Sequence, residues 1–320
     1  MAFDVVSLGE LLIDFTPVGV SENGNPVFER NPGGGPANFA CAVAKLGGKA
    51  AFIGKVGNDN FGRALREFIG QCGVDTSGLL LSDEFKTTLA FVHLDASGDR
   101  SFSFYRKNGA DTMLRTEEVD LSLLDGCPYF FCSSVMMAEG ESRRTSFDLM
   151  RAARDRGCTV YFDPNLRMNL WESPDEVKRV NLEAIPLADI VKISEEEIEF
   201  LTGDPDYKRA ARAMKEKYGL SAILVTLGAK GCFALINGEE LELDACPVKA
   251  VDTTAAGDSF NGGFLYALCR TGKGLADCSA GELRSILKFA NTVGGLTTTK
   301  KGAICALPSL EEVEQMLEQG

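Results

Sequence analysis

Short apolar runs recur along the chain, separated by longer stretches in which apolar positions return every three or four residues. Phe3-Asp-Val-Val-Ser-Leu8 reads as a buried strand, and Pro36 to Leu46 as a helix that Gly47-Gly48 terminates. Ala50 to Val56 predicts the next strand and Phe61 to Cys72 the next helix. Further strands are expected at Tyr129 to Ser133, Thr159 to Phe162, Ile190 to Ile193, Ala222 to Thr226 and Cys232 to Ile236. Helical spacing appears at Glu141 to Arg156, Asp175 to Ile185, Tyr207 to Tyr218, Gly257 to Arg270, Glu282 to Thr298 and Ser309 to Gln319. This alternation predicts an α/β fold: a mostly parallel sheet sandwiched by helices, with ligands at the carboxyl ends of the strands. Two segments break the rhythm. Leu11 to Arg30 and Thr87 to Tyr105 alternate without helices, the second turning at Ala96-Ser-Gly-Asp99, and they predict a small separate sheet.

Composition narrows the function. A chain of 320 residues, 45% of them hydrophobic, supports one large catalytic domain with a small appendage. The net charge of −13 argues against nucleic acid and anionic membranes as partners, because phosphate backbones are gripped by clustered Lys and Arg. The start, Met1-Ala-Phe-Asp-Val-Val, has no basic leader, and no window reaches the ~18 apolar residues of a membrane span, so a cytoplasmic protein is expected. Ten scattered cysteines without a Cys-x-x-Cys pair read as reduced, mostly buried thiols rather than a zinc site. The single histidine, His93, lies in an alternating segment and reads as structural.

Two glycine-bearing segments carry the chemistry. Asp252-Thr-Thr-Ala-Ala-Gly-Asp258 runs into a small-residue helical pattern, placing a carboxylate beside backbone N–H groups at a helix N-terminus. Such a turn offers donors to a transferring phosphoryl group and a proton acceptor to the attacking hydroxyl. The same residues would also make an ordinary helix N-cap. Asn31-Pro-Gly-Gly-Gly-Pro-Ala-Asn38 precedes another helix, with Gly34 and Gly35 permitting close approach and Asn38 offering an amide that donates and accepts, a loop suited to a polyol. Neither a Walker phosphate loop nor a Gly-x-Gly-x-x-Gly fingerprint is present.

Taken together and in this order, the two segments resemble those of the ribokinase-like carbohydrate kinases, the PfkB family, and in detail its fructokinases. Gly9-Glu-Leu-Leu-Ile-Asp14-Phe, Phe102-Ser-Phe104-Tyr-Arg106, Ala110-Asp111, Phe162-Asp-Pro-Asn165-Leu-Arg167, Lys192-Ile-Ser194-Glu-Glu-Glu197, Val225-Thr-Leu-Gly228-Ala-Lys-Gly231 and Lys301-Gly302-Ala303 carry the resemblance across nearly the whole chain. Two positions depart from it. Ala255 stands where many members have glycine, and Ser194 where many have asparagine.

The resemblance implies ATP-dependent phosphorylation of D-fructose at its 6-hydroxyl, with 2-keto-3-deoxygluconate or aminoimidazole riboside as alternative substrates. It implies Asp258 as general base and Ala255, Ala256 and Gly257 as the anion hole. The sugar would meet Asp14, Gly34, Gly35, Asn38, Phe104, Arg106 and Arg167. The two arginines keep an acidic sugar in play, since paired guanidinium groups often hold carboxylates. Thr226, Gly228 and Gly231 would line the ATP phosphate and ribose, and Asn291 the adenine. Asn165, Lys192 and Glu197 would act around the phosphates and their Mg²⁺, and Asp252 and Thr254 near a K⁺. Glu197 also fits a solvated helix face, and Gly228 to Gly231 a plain hairpin turn. Residues 11–30 and 87–106 would form one discontinuous lid over the sugar, the remainder (1–10, 31–86, 107–320) the main domain, and the exposed lid sheet could pair with a second copy. Because the chain is acidic overall, binding anionic ATP would depend on local charge.

Overall fold

The computed structural model describes residues 3–94 and 100–319. The expected turn at Ala96 to Asp99 lies outside them. The first part of the chain forms β1 (Val5–Leu8), β2 (Leu12–Val20), β3 (Pro26–Gly33), α1 (Gly35–Lys45), β4 (Ala50–Gly57), α2 (Asn60–Gln71), β5 (Leu79–Ser82), β6 (Leu89–Leu94) and β7 (Arg100–Tyr105). Then follow β8 (Tyr129–Ser133), α3 (Glu141–Asp155), β9 (Thr159–Asp163), α4 (Pro174–Ala184), β10 (Ile190–Ser194), α5 (Glu195–Thr202) and α6 (Tyr207–Tyr218). The chain closes with β11 (Ala222–Thr226), β12 (Cys232–Ile236), β13 (Glu239–Leu243), α7 (Ala256–Arg270), α8 (Ala280–Thr297) and α9 (Leu310–Gln319).

The main sheet has the order β13-β12-β11-β10-β9-β8-β1-β4-β5. From β5 across to β11 neighbouring strands run parallel, and β12 and β13 add antiparallel strands at one edge. Helices cover both faces because neighbouring residues of each central strand point to opposite sides. Val5, Phe52, Phe131 and Tyr161 face one buried cluster with α1, α2, α7 and α8. Val6, Ile53, Phe130 and Phe162 face another with α3, α4, α5 and α6.

Local sequence explains where the helices begin and end. Asp59 accepts from the N–H groups of Phe61 and Gly62 to open α2, and Ser279 and Glu282 form a reciprocal cap on α8. Gly219 closes α6 in a left-handed conformation. Two elements were not apparent in the sequence: β5 is only a four-residue apolar run, and β13 is an edge strand rich in glutamate. A third, α5, is a short acidic helix capped by Ser194 that showed in the sequence only as a helix face at Glu197.

A second sheet, ordered β3-β2-β6-β7, joins two segments distant in sequence through the parallel pairing of Ile13 with Leu89 and Phe15 with Phe91. Phe15 stacks on Phe91 with ring centroids 4.8 Å apart. Strand β3 continues past Arg30 to Gly33, so the boundary expected between residues 30 and 31 falls inside a strand that leads directly into α1.

The seating of α1 against α7 fixes the geometry that follows. A β-carbon on Gly262 would lie 2.6 Å from the Ala42 β-carbon and 3.2 Å from the Phe39 carbonyl oxygen, so the helices touch backbone to backbone. Gly262→Val should therefore destabilise the protein by about 2–3 kcal/mol through overpacking, read as a lowered melting temperature. Gly281 has no neighbour within 4 Å of such a carbon, and Gly281→Ala should leave stability unchanged or raise it by up to ~1 kcal/mol.

Candidate active site

A cavity of about 330 Å³ opens beyond the carboxyl ends of β1 and β9, where α1 and α7 begin. Asp14, Gly34, Gly35, Asn38, Phe104, Arg106, Asn165, Arg167, Lys192, Thr254 and the run Ala255 to Asp258 all line it. It therefore gathers every sugar-side and anion-hole residue expected from the sequence, from both sheets.

Asp258 sits in the first turn of α7 and is 8% exposed. The Asn38 amide donates to its Oδ2 at 2.8 Å and the Asn165 amide to its Oδ1 at 3.2 Å. Burial pushes the Asp258 carboxyl above its ordinary value, against the opposing pull of Asn38, Arg167, Lys192 and Asn165. The residue just before α7, Ala255, adopts φ 60° in the left-handed region. That conformation costs an alanine on the order of 1 kcal/mol, so the missing glycine is tolerated at the price of strain. The Ala256 N–H leans toward the Thr253 carbonyl at 3.3 Å. In the turn before it, Asp252 Oδ1 accepts from the N–H and hydroxyl of Thr254, and its Oδ2 from the Gly302 N–H.

The glycine loop is shaped by what lies against it. A β-carbon on Gly33 would stand 2.1 Å from Asp14 Oδ2, and one on Gly34, whose φ is 116°, would stand 2.3 Å from the Glu10 carbonyl. On Gly35 it would reach 2.6 Å from the Asn165 amide nitrogen and 3.3 Å from Asp258 Oδ1. Burial pushes Asp14 up to about 6, with Arg167 pulling the other way.

The two arginines are placed differently. Arg106 is buried, its Nε donating to Asp111 Oδ2 at 2.8 Å and its Nη2 to the Val135 carbonyl, while Nη1 has no partner. Arg167 is exposed at the mouth and donates to the carbonyls of Leu166 and Asn165. Lys192, expected near the phosphates, pairs with Asp163 at 3.1 Å, and its Nζ would be 3.0 Å from a β-carbon on Gly257. Burial works against its charge, but Asp163, Glu197 and Asp258 outweigh that and hold its ammonium above the usual lysine value.

Glu197 is a brace within the chain. Its Oε1 accepts from the Leu166 N–H at 2.6 Å and its Oε2 from the Ser194 N–H at 2.9 Å, while Ser194 caps α5 in return. It thereby fixes the turn that presents Asn165, itself at φ 43°. Thr226 ends β11 beside Ser194, and Gly228 and Gly231 form the turn into β12. A β-carbon on Gly231 would meet the Leu243 carbonyl at 2.0 Å. Asn291 borders a second cavity of about 590 Å³ with Leu243, Asp244, Ala245, Pro247 and Thr292, and donates to the Asp244 carbonyl at 2.9 Å. Three residues further along α8, a β-carbon on Gly294 would be 3.2 Å from the Ala256 carbonyl, so this helix links the second cavity to the turn before Asp258.

Three residues at or beneath the cavity were not singled out in the sequence. Glu10 lines the first cavity, and its only sign was a carboxylate between apolar Leu8 and Leu11. Asp163 and Asn261 form a buried relay in which Tyr161 donates to Asn261, Asn261 to Asp163 Oδ2 at 2.7 Å, and the Asn165 N–H to Asp163 Oδ1 at 3.0 Å. A carboxylate just before a proline at a strand end was the available signal. Among the described residues no cluster of His, Cys, Asp or Glu could hold a metal ion alone, and no helix is long and apolar enough to cross a membrane. All ten cysteines are free thiols, and His93 hydrogen-bonds Ser103 across the small sheet.

Comparison with known proteins agrees with this geometry. Residues 2–310 match the pfkB family carbohydrate kinase profile. The chain is 41% identical to fructokinase-1 of Zea mays over 317 residues, covering 98% of each protein. Among solved structures, a fructokinase from Xylella fastidiosa with bound ATP superposes with a TM-score of 0.91 at 33% identity, over 98% of both chains. A fructokinase double mutant from Vibrio cholerae O395, bound to fructose, ADP and a potassium ion, gives 0.88 at 34% identity over 99% of both. A shared fold and near-complete coverage, joined to a buried carboxylate at a helix N-terminus, lead to one conclusion: the chain belongs to the pfkB family of carbohydrate kinases.

Proposed function

We propose that the protein transfers the γ-phosphoryl group of ATP to the 6-hydroxyl of D-fructose, giving fructose 6-phosphate and ADP. The observation that carries this reading is the buried Asp258 carboxylate, held between two amides at the start of α7 and facing a cavity walled by Asp14 and Asn38. Its raised proton affinity suits a base that must take a hydroxyl proton as the phosphoryl group arrives. Ala255, Ala256 and Gly257, backed by the α7 dipole and Lys192, would receive the charge on that group. Asp14, Asn38, Arg106 and Arg167 would hold the hydroxyls, with Gly34, Gly35 and Phe104 shaping the wall. Arg106 already has Asp111 as counter-ion, which favours a neutral keto sugar over 2-keto-3-deoxygluconate.

The nucleotide would lie from the second cavity, with adenine near Asn291, past Thr226, Gly228 and Gly231 to the turn at Ala255. Mg²⁺ would arrive with ATP and retain most of its waters, with Asn165 directed toward the phosphates and Glu197 acting through the turn it braces. K⁺ would sit beside the Asp252 and Thr254 loop, adding positive charge behind the anion hole. Both Asp252 oxygens are engaged within the chain, so the loop is already folded to receive it. The small sheet would close over the sugar and exclude water, and the cytoplasm is the expected compartment.

Three measurements test this reading. A substrate panel should give the highest kcat/KM with fructose; preference for 2-keto-3-deoxygluconate or aminoimidazole riboside would reassign the substrate. Asp258→Asn should lower turnover by about 10²-fold or more while both ligands still bind. The new NH₂ group would face an amide donor, and Asn38, whose Oδ1 is free, can turn over to accept it. Near-parental turnover would place the base elsewhere. Asp14→Ala should weaken sugar binding by about 2–4 kcal/mol in calorimetry and leave an ATP analogue unaffected.

The small sheet also exposes Val18, Val20, Val27, Phe28 and Tyr105, which supports pairing with a second copy. Light scattering should give a dimer, and Val20→Asp with Tyr105→Asp a monomer. A monomeric parent would remove that part of the proposal.

A further inference from the structure

Glu10 lies just past β1, 3% exposed, at the inner wall of the cavity that also holds Asp258. Its Oε1 accepts the Gly35 N–H at 2.8 Å. Gly35 is the first residue of α1, so this bond fixes the start of the helix that carries Asn38, whose amide donates to Asp258. The other oxygen, Oε2, is buried without a hydrogen-bond partner, as is Arg106 Nη1. Two opposite charges with unsatisfied polar atoms at one wall are costly unless they act on each other or on a ligand.

We propose that Glu10 is a positioning residue that, in its ionised form, ties Arg106 on the sugar side to the start of α1 and thereby sets Asn38 against Asp258. The inference rests on the sugar-kinase reading of the same cavity. The groups acting on Glu10 come from three elements. Arg106, directly after β7, favours its charge, Asp111 in the following turn opposes it, and the Gly35 N–H at the α1 terminus favours it again. Arg106 in turn keeps its charge against burial through Asp111, Glu10 and Glu139. Burial pushes the Glu10 carboxyl up to about 7, so the strut is intact above that pH and loses its charge as the pH falls through it. Protonation would leave Arg106 with Asp111 and the more distant charge of Glu139, and weaken the grip on Gly35, which lies beside Asn165 and Asp258.

Glu10→Gln separates charge from shape, since a glutamine oxygen can still accept the Gly35 N–H. Steady-state kinetics of purified parent and variant, with fructose and with ATP varied in turn from pH 5.5 to 8.5, supply the test. The variant should show a fructose KM raised on the order of 5–10-fold, an ATP KM within about twofold, and an acid limb of kcat/KM for fructose moved to lower pH, toward that set by the remaining carboxylates Asp14 and Asp258. Glu10→Ala, losing the Gly35 bond as well, should also lower kcat by about tenfold or more. An unchanged fructose KM and acid limb in Glu10→Gln would overturn the inference, as would parallel losses for both substrates. A parent that phosphorylates no sugar would instead overturn the kinase reading.

Discussion

The site depends on one buried carboxylate held from two sides. Asp258 is brought by α7, Asn38 by α1 and Asn165 by the turn after β9, and each amide takes one carboxylate oxygen. An ionised carboxylate so removed from water would shed its charge without such donors, so the clamp keeps it ionisable and fixes where it points. The bare glycine contact between α1 and α7 and the Glu197 brace behind Asn165 hold the two amides at that separation. Fold and chemistry meet at this point, because shifting any one of the three elements would leave a donor or the acid unpaired.

Charge around the clamp is arranged in opposed pairs. Lys192 is matched by Asp163, which Asn261 and the Asn165 backbone also satisfy, and Arg106 is matched by Asp111. Buried pairs of this kind add little net stability, but removing one partner strands the other. Lys192 thus brings positive charge beside Gly257 without collapsing onto Asp258. This is how a chain of net charge −13 presents local positive charge where an anionic nucleotide would approach.

Much of the fold was legible in the sequence, because parallel strands buried on both faces leave plain apolar runs such as Tyr129–Ser133 and Ala222–Thr226. β5 and β13 were hidden for opposite reasons, one too short to show a period and the other too charged to look buried. At the site, Asp258 and Asn38 stood out because each adjoins a glycine or small-residue run, and Asp14 because its segment resembles one of the family's. Glu10 did not, since its contact with Gly35, twenty-five residues away, is encoded by no local pattern. Arg106 and Arg167 looked alike as sequence and differ as structure, because only tertiary placement gave one of them Asp111.

The three successive glycines before α1 also bear on how such an enzyme changes its diet. A β-carbon at Gly34 would meet the Glu10 backbone carbonyl, and at Gly33 and Gly35 it would displace the Asp14 carboxylate and the Asn165 amide from their places at the cavity. That wall has no room to acquire a side chain, so it is closed to mutation as a route to new sugars. Phe104, in contrast, projects from β7 in the smaller sheet, which meets the cavity without belonging to the clamp. Divergence among relatives would then fall on the small sheet, with the same catalytic floor inherited unchanged beneath a succession of different roofs.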